Sequence, residues 1–171
     1  MRSRYQFTES KGPYFITLTI VEWLPLFVSR NYFEIISDSL TFYSEKGGFQ
    51  VLAYMILDNH LHLILTGDDL SRSMRAFKSY TAKKIIEQLK ADGKKWALNQ
   101  LSYYKKRYKT QSRYQVWQEG VHPQLIYSDK ILTQKIEYIH FNPVRRGLVK
   151  SAEDWLWSSA RSFSDGSKPG L

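Results

Sequence analysis

Two histidines, His60 and His62, lie two positions apart in an apolar segment and are the first candidates for chemistry. The alternation around them predicts a β-strand, and side chains two apart on a strand project from the same face. Leu61, Leu63 and Leu65 would then point into the core, and both imidazoles would face the opposite side. Two neighbouring imidazoles are a natural beginning of a divalent-metal site. Surface histidine pairs also occur without such a role, so the pair by itself leaves both interpretations open.

Tyr138 and Asn142 form a second candidate, on a predicted helix. A spacing of four places both side chains on one helical face if the last turn extends to Asn142, and Lys135 lies on that face too. His140 is about 200° around the helix from Tyr138 at about 100° per residue, so it should point elsewhere. Without a functional role, Tyr138 would be a core aromatic and Asn142 a helix cap before Pro143.

The elements that must position these residues follow from hydrophobic periodicity and turn residues. Strands are predicted at residues 14–20, 49–57, 60–66 and 124–127. Helices are predicted from an N-cap at Asn31 to the glycines at 47–48, at 71–91, and from 129 to about 140. Pro143 limits the last helix, because the residue before a proline disfavours the α-helical region. The Asp58-Asn59 turn joins the second and third strands, which predicts a hairpin.

The order β-α-β-β-α-β-α predicts an α+β fold. We expect an antiparallel, ferredoxin-like (split βαβ) sheet with helices on one face, plus a C-terminal helix that carries Tyr138. A single domain is predicted at 1–164 and a flexible tail at 165–171. This fold hosts many functions, including non-catalytic RNA binding, so the function must be argued from the site.

The composition excludes several classes of protein. The 171 residues contain no cysteine, which removes disulfides, thiolate zinc sites, iron–sulfur clusters and cysteine nucleophiles. The longest apolar run, 51–57, is far shorter than the ~20 residues needed to cross a bilayer. The N-terminus has no apolar segment typical of a secretory signal. We therefore expect a soluble, intracellular protein with no membrane partner.

Charge and aromatic content favour a nucleic-acid partner. Lys and Arg number 25 against 16 Asp and Glu, and 15% of the residues are aromatic. A basic surface attracts phosphates, and aromatic rings stack unpaired bases. Segment 93–118 concentrates both residue types without any Asp or Glu, although a solvated basic loop is the alternative interpretation. The candidate DNA contacts in this segment are Lys94, Lys95, Tyr103, Tyr104, Lys105, Lys106, Arg107, Lys109 and Arg113.

Two motifs together resemble the single-tyrosine transposases of the His-hydrophobic-His superfamily, in particular the REP-associated tyrosine transposases. The motifs are YMILDNHLHLIL at 54–65 and YIHFNPVRRGLV at 138–149. A Trp-Gln pair at 117–118 and a Trp-Ser-Ser run at 157–159 accompany them, so the resemblance extends from about 14 to 159. Conjugative relaxases place the tyrosine before the histidine pair, and the opposite order here disfavours that group.

The resemblance implies a metal-dependent transposase that cleaves and rejoins hairpin-containing single-stranded DNA through a 5′-phosphotyrosine. Tyr138 would be the nucleophile. The cofactor would be Mg²⁺ or Mn²⁺, and the residues implied as its ligands are His60, His62 and Asn142.

Further roles also follow from the resemblance. A tyrosine hydroxyl has an unperturbed pKa near ~10, so attack near neutral pH needs help, and Lys135 or the metal could stabilise the phenolate. Arg145 and Arg146 are typical of the family and would hold DNA phosphate near the tyrosine. Asp58 stands where the family usually has proline, so it could add negative charge beside the metal.

The implied partner is single-stranded DNA with REP-like hairpins, in a bacterial, nucleoid-associated and cytoplasmic setting. The protein would be a monomer or a homodimer, and in a dimer the tyrosine could serve the partner's histidines. Two alternatives stay open. A non-catalytic or domesticated nucleic-acid-binding protein of the same fold would not need the histidine, tyrosine and asparagine set. A metallohydrolase using His60, His62 and His122 would lack the expected carboxylate cluster.

Overall fold

A computed structural model describes residue 7 and residues 12–166, so the predicted tail at 165–171 lies outside the described residues after Gly166. The strands are β1 (Tyr14–Thr19), β2 (Gln50–Ile56), β3 (His60–Thr66) and β4 (Gln124–Leu125). The helices are α1 (Arg30–Glu45), α2 (Leu70–Ala91), α3 (Lys95–Tyr103), α4 (Asp129–Arg145) and α5 (Ala160–Ser164). Short 3₁₀ turns lie at Val21–Trp23 and Ala152–Asp154. Within the described residues, no helix combines the length and the apolar character that a membrane span requires.

The four strands form one antiparallel sheet in the order β2-β3-β1-β4. Strand β3 lies between β1 and β2, which is the split βαβ arrangement. In this register Thr19 pairs with His60 and Thr17 with His62. The predicted α+β, ferredoxin-like fold is therefore confirmed, and β3 is an interior strand of the sheet.

The two faces of the sheet are covered by different helices. Alternate residues of β1 and β3 on one face pack against α1 and α2 in the larger core; they are Ile16, Leu18, Leu61, Leu63 and Leu65. On the other face, Phe15, Met55 and Ile64 pack against Ile139 of α4. Because side chains alternate along a strand, the two histidines of β3 share this second face with α4.

Helix α4 is longer than the sequence predicts, because it continues through Pro143 to Arg145. A proline in a helix interior removes one N–H donor and crowds the preceding turn. Here only the final turn lies beyond Pro143, and Leu148 N–H closes it by donating to the Pro143 carbonyl at 3.0 Å. Gly147, at φ 70°, ends the helix. Tyr138 and Asn142 consequently lie one turn apart on the same helix.

Other helix and strand boundaries differ from the predicted ones by fewer residues. Helix α1 begins at Arg30 with Ser29 as its N-cap, so the N-cap predicted at Asn31 is wrong. The strands predicted at 14–20, 49–57 and 124–127 are each shorter by one or more residues. Segment 93–118 contains a helix that was not predicted, α3, whose Ala97 and Leu101 are buried at a spacing of four.

Candidate functional site

His60 and His62 lie side by side on β3, facing α4. Both are buried, with 8% and 6% of their surface exposed, and their ring centres are 4.9 Å apart. Leu61, Leu63 and Leu65 belong to the core on the opposite face. The strand therefore gathers two imidazoles into one place, as its period of two predicts.

The hydrogen bonds of Asn59 determine which nitrogen of His60 is free. Asn59 Nδ2 donates to the Trp23 carbonyl at 3.1 Å, which orients the amide. Its Oδ1 then lies 2.7 Å from His60 Nδ1. An amide oxygen can only accept, so Nδ1 must carry the proton in this bond. The lone pair of a neutral His60 is consequently on Nε2, where a metal ion can use it.

His62 is held by β1. Its Nδ1 lies 2.9 Å from Thr17 Oγ1, the residue directly opposite in the sheet register. The Phe15 ring stacks against His62 with centres 5.3 Å apart. These contacts orient the second imidazole.

Both imidazoles are neutral at pH 7. Burial lowers the pKa of His60 to about 4, with a further lowering by Arg146 and an opposing effect of Asp58. Burial lowers the pKa of His62 to about 3, reinforced by His60 and Lys135. Neutral imidazole is the form that binds a metal, so this environment suits metal ligation.

Helix α4 brings Tyr138 to this pair. The Tyr138 ring centre lies 5.4 Å from that of His62 and 6.0 Å from that of Phe15. The side chain is 40% exposed, so a ligand can reach it from solvent. The Arg145 guanidinium lies 5.4 Å from the centre of the same ring. A tyrosine ring, two imidazoles and a guanidinium thus lie together at one partly open place.

Asn142 lies between two contacts that join α4 to β3 and its preceding turn. One contact is Tyr138 with His62; the other is Arg146 Nη1, which donates to Asp58 Oδ1 at 3.0 Å. On α4, Asn142 lies one helical turn after Tyr138 and one turn before Arg146. Asp58 is paired with a guanidinium, which offsets its negative charge.

The donors that the structure brings together here are the two imidazoles of β3, whose neutral form is the one that binds divalent ions. In the part of the chain that the structure describes, no group of three or more His, Cys, Asp or Glu side chains gathers. The metallohydrolase built on His60, His62 and His122 is therefore wrong. Two neighbouring imidazoles remain, and α4 carries Asn142 one turn after the Tyr138 that contacts His62.

Lys135 and His140 lie on different sides of α4. Lys135 Nζ donates to Gln124 Oε1 at 2.9 Å and lies 4.4 Å from the centre of the Phe15 ring, at the flank of the site. His140 points away, as predicted: it is buried, and its Nε2 lies 2.9 Å from Ser159 Oγ.

The basic segment presents exposed aromatic and cationic side chains. Tyr103 is 80% exposed. Lys109 forms an ion pair with Glu119 at 3.3 Å, so part of the positive charge is offset. The exposed cations of the segment are Lys94, Lys95, Lys106, Arg107 and Arg113. The end of the segment pairs with β1, since Gln118 N–H donates to the Thr19 carbonyl at 2.8 Å. Thr19 is the residue opposite His60 in the sheet.

Sequence reasoning missed Trp23, Asn59 and Thr17 as parts of the site. Asn59 could have been found, because it directly precedes the histidine pair in the hairpin turn. Thr17 contacts His62 only through the sheet register, and the Trp23 ring reaches His60, at 5.5 Å between centres, only through an unusual turn. Neither contact leaves a signal in the local sequence.

Acidification is expected to destabilise the metal-free protein. Burial lowers the pKa of His140 to about 4, as it lowers those of His60 and His62. The unfolded chain takes up protons near pH 6.5 and the folded chain only near pH 4 or below, so stability falls as the pH drops through this window. We expect a loss of about 2 kcal/mol per histidine at pH ~4.5, measured by urea unfolding. His140→Gln should flatten the slope, and a flat wild-type profile would contradict the expectation.

Comparisons with known proteins are consistent with this geometry. Residues 26–126 match the family model described as "Transposase IS200 like", a range that includes both histidines and ends before α4. A Haemophilus influenzae protein named as a REP-associated tyrosine transposase is 25% identical over 156 residues, covering 91% of this chain and 83% of that protein. A solved structure of a REP-associated tyrosine transposase bound to a REP hairpin shares the fold. Its TM-score is 0.69 at 21% identity, covering 99% of this chain and 89% of the other.

Proposed function

Since the chain belongs to the IS200-like transposase family, we propose that it cleaves and rejoins hairpin-containing single-stranded DNA through a 5′-phosphotyrosine intermediate. The observation that carries the proposal is the contact between the Tyr138 and His62 rings, 5.4 Å apart, within one chain. A nucleic-acid-binding protein without catalysis would gain nothing from a half-exposed tyrosine against two neutral imidazoles.

Tyr138 is the nucleophile in the proposed reaction. Its Oη attacks a backbone phosphorus; a P–Oη bond forms as the P–O3′ bond breaks. The phenolic proton is lost, and the departing 3′-oxygen takes up a proton. Because the phosphate ester is retained on the protein, a second 3′-hydroxyl can reverse the step on another strand without ATP.

His60, His62 and Asn142 are the proposed ligands of the divalent ion. When bound, that ion would polarise the non-bridging oxygens of the phosphate. Mg²⁺ prefers oxygen donors, and imidazole ligands suit Mn²⁺ at least as well, so both ions should be tested. The protein's own contribution is to hold two imidazoles neutral and oriented before the DNA arrives.

The proposed DNA surface combines the flank of the site with the basic segment. Arg145, over the Tyr138 ring, and Arg146, beside the hairpin turn, would contact phosphates next to the cleaved bond. The exposed tyrosines and cations of segment 93–118 would bind the strand by stacking and charge. REP-like hairpins are the proposed substrates, since the related solved structure is bound to a REP hairpin.

The test of the proposal is a search for a covalent adduct. The protein is incubated with single-stranded hairpin DNA labelled at its 3′-end, with Mn²⁺ or Mg²⁺, and resolved on a denaturing gel. The label must be at the 3′-end because the fragment with the 5′-phosphate stays on the protein. We expect a labelled band of reduced mobility, the covalent protein–DNA adduct, that does not form in the presence of EDTA. Tight binding without an adduct, across metals and hairpins, would favour the domesticated, non-catalytic alternative.

Lys135 is proposed to stabilise the Tyr138 phenolate, since it lies one turn earlier on α4 and at the flank of the site. Loss of this cation in Lys135→Met should lower the cleavage rate at neutral pH and change the pH–rate profile of cleavage. Lys135→Arg should stay near the wild-type profile. An unshifted pH–rate profile for Lys135→Met would remove the lysine from this role.

We expect each active site to be assembled within one chain. Ile139 is buried against the sheet of its own chain, and Arg146 ties the end of α4 to the turn before its own histidines. Mixing Tyr138→Phe with a His60→Ala/His62→Ala variant should therefore not restore adduct formation. Recovery of a substantial fraction of the wild-type adduct in the mixture would show that the tyrosine serves a partner subunit.

A further inference from the structure

We propose that Trp23 is a stacking platform for one unpaired DNA base beside the phosphate that is cleaved. This inference rests on the proposed function, and it assigns a binding role to a residue outside the motifs of the histidine pair and the tyrosine. The ligand is a nucleobase of single-stranded DNA. Any of the four bases can stack on the indole, because each has a flat face.

The backbone of the turn that carries Trp23 is unusual. Glu22 has φ 51° and Trp23 has φ 56°, two successive non-glycine residues in the left-handed region. Bulky residues rarely adopt this conformation, and glycine would adopt it without strain. Such strain persists where the surrounding structure imposes it, and it clusters at functional sites.

The surrounding hydrogen bonds impose this conformation. Val21 N–H donates to the Val116 carbonyl at 2.8 Å, and Trp23 N–H donates to the Ile20 carbonyl at 3.0 Å. The Trp23 carbonyl accepts from Asn59, whose other end holds His60. The turn is thus joined to the histidine pair, and its side chain is aimed toward that pair.

The indole is held at the site yet remains open to solvent. Its ring meets the His60 ring edge-to-face with centres 5.5 Å apart, and 55% of the residue is exposed. The buried Trp117 differs, since its Nε1 donates to Thr81 and its ring is in the core. A large apolar ring kept exposed by a strained turn, at the edge of a phosphate-cleaving site, is suited to a flat aromatic ligand. The chain's net positive charge, and Arg146 close to the His60 that the indole contacts, favour a base of nucleic acid as that ligand.

The experiment measures binding apart from chemistry. In a Tyr138→Phe background, fluorescence anisotropy is recorded with a hairpin oligonucleotide carrying single-stranded flanks, with one abasic site placed at each flank position in turn. We expect one position where base removal weakens binding about tenfold or more. Trp23→Ala should lose the same factor with intact DNA, and nothing further when that base is absent.

Several outcomes would overturn the proposal. One is that Trp23→Ala binds intact DNA as tightly as the protein with Trp23. Another is that an abasic site weakens binding equally at every flank position, which would indicate that the ring has another ligand, such as a protein. Phe42→Ala, an exposed aromatic on the α1 side of the sheet, is the matched control and should bind normally. Trp23→Gly relieves the left-handed strain, so it should keep or raise the Tm while losing affinity. If the wild-type protein loses affinity at one abasic position but forms no covalent adduct, the phosphotyrosine proposal is wrong and the stacking site is supported.

Discussion

Tyr138→Phe is expected to abolish the covalent protein–DNA adduct and to leave DNA affinity within about twofold of wild type. The substitution removes one oxygen and keeps the ring that contacts His62 and Phe15, so packing of α4 should persist. Removal of the nucleophile leaves no atom to accept the phosphate, and cleavage should fall by at least about 10⁴-fold. The measurement is the adduct band with 3′-labelled hairpin DNA, beside a binding isotherm for each protein.

Tyr127→Phe is the matched control for this prediction. Tyr127 is 81% exposed and lies just before α4, so it is the kind of tyrosine that could react adventitiously. Its substitution should leave the adduct unchanged. An adduct that survives in Tyr138→Phe would assign the nucleophile elsewhere, and digestion followed by mass spectrometry would locate it.

Periodicity within one element was enough to predict the local parts of this site. The period of two around His60 gave the bounds of β3 and the shared face of both histidines. The spacing of four between Tyr138 and Asn142 gave their common helical face, once the helix extended far enough. The extent of α4 was mispredicted because the general rule on the residue before proline is weaker than the burial of Pro143 and the bonds that close the last turn.

Contacts between distant segments could not be predicted in the same way. Thr17 and His62 are 45 positions apart, and Asp58 and Arg146 are 88 apart. Their contacts depend on sheet register and on how α4 lies across β3, which no local pattern encodes. The sequence does not explain why Asp58 stands where the family has proline. In the structure its carboxylate pairs with Arg146 and so links the hairpin turn to α4.

The His60→Ala/His62→Ala variant is expected to lose metal-dependent cleavage by about 10³-fold or more, since a bound ion supplies several kcal/mol of charge stabilisation. DNA binding in EDTA should change little, because the basic segment lies outside the pair. Mn²⁺ affinity, measured by the signal of the free ion in electron paramagnetic resonance, should fall with the activity. This readout separates lost metal binding from lost chemistry.

His140→Gln distinguishes this effect from the general cost of replacing a buried histidine. His140 is as buried as the pair, and burial lowers its pKa as well, but its Nε2 lies 2.9 Å from Ser159 Oγ. We expect this control to lower the Tm while it retains Mn²⁺ affinity and cleavage below that Tm. If the double variant kept its Mn²⁺ affinity, the ligands would lie elsewhere. If it lost affinity but cleaved normally, His60 and His62 would bind an ion that the reaction does not need, and the chemistry would have to come from the charged side chains around Tyr138.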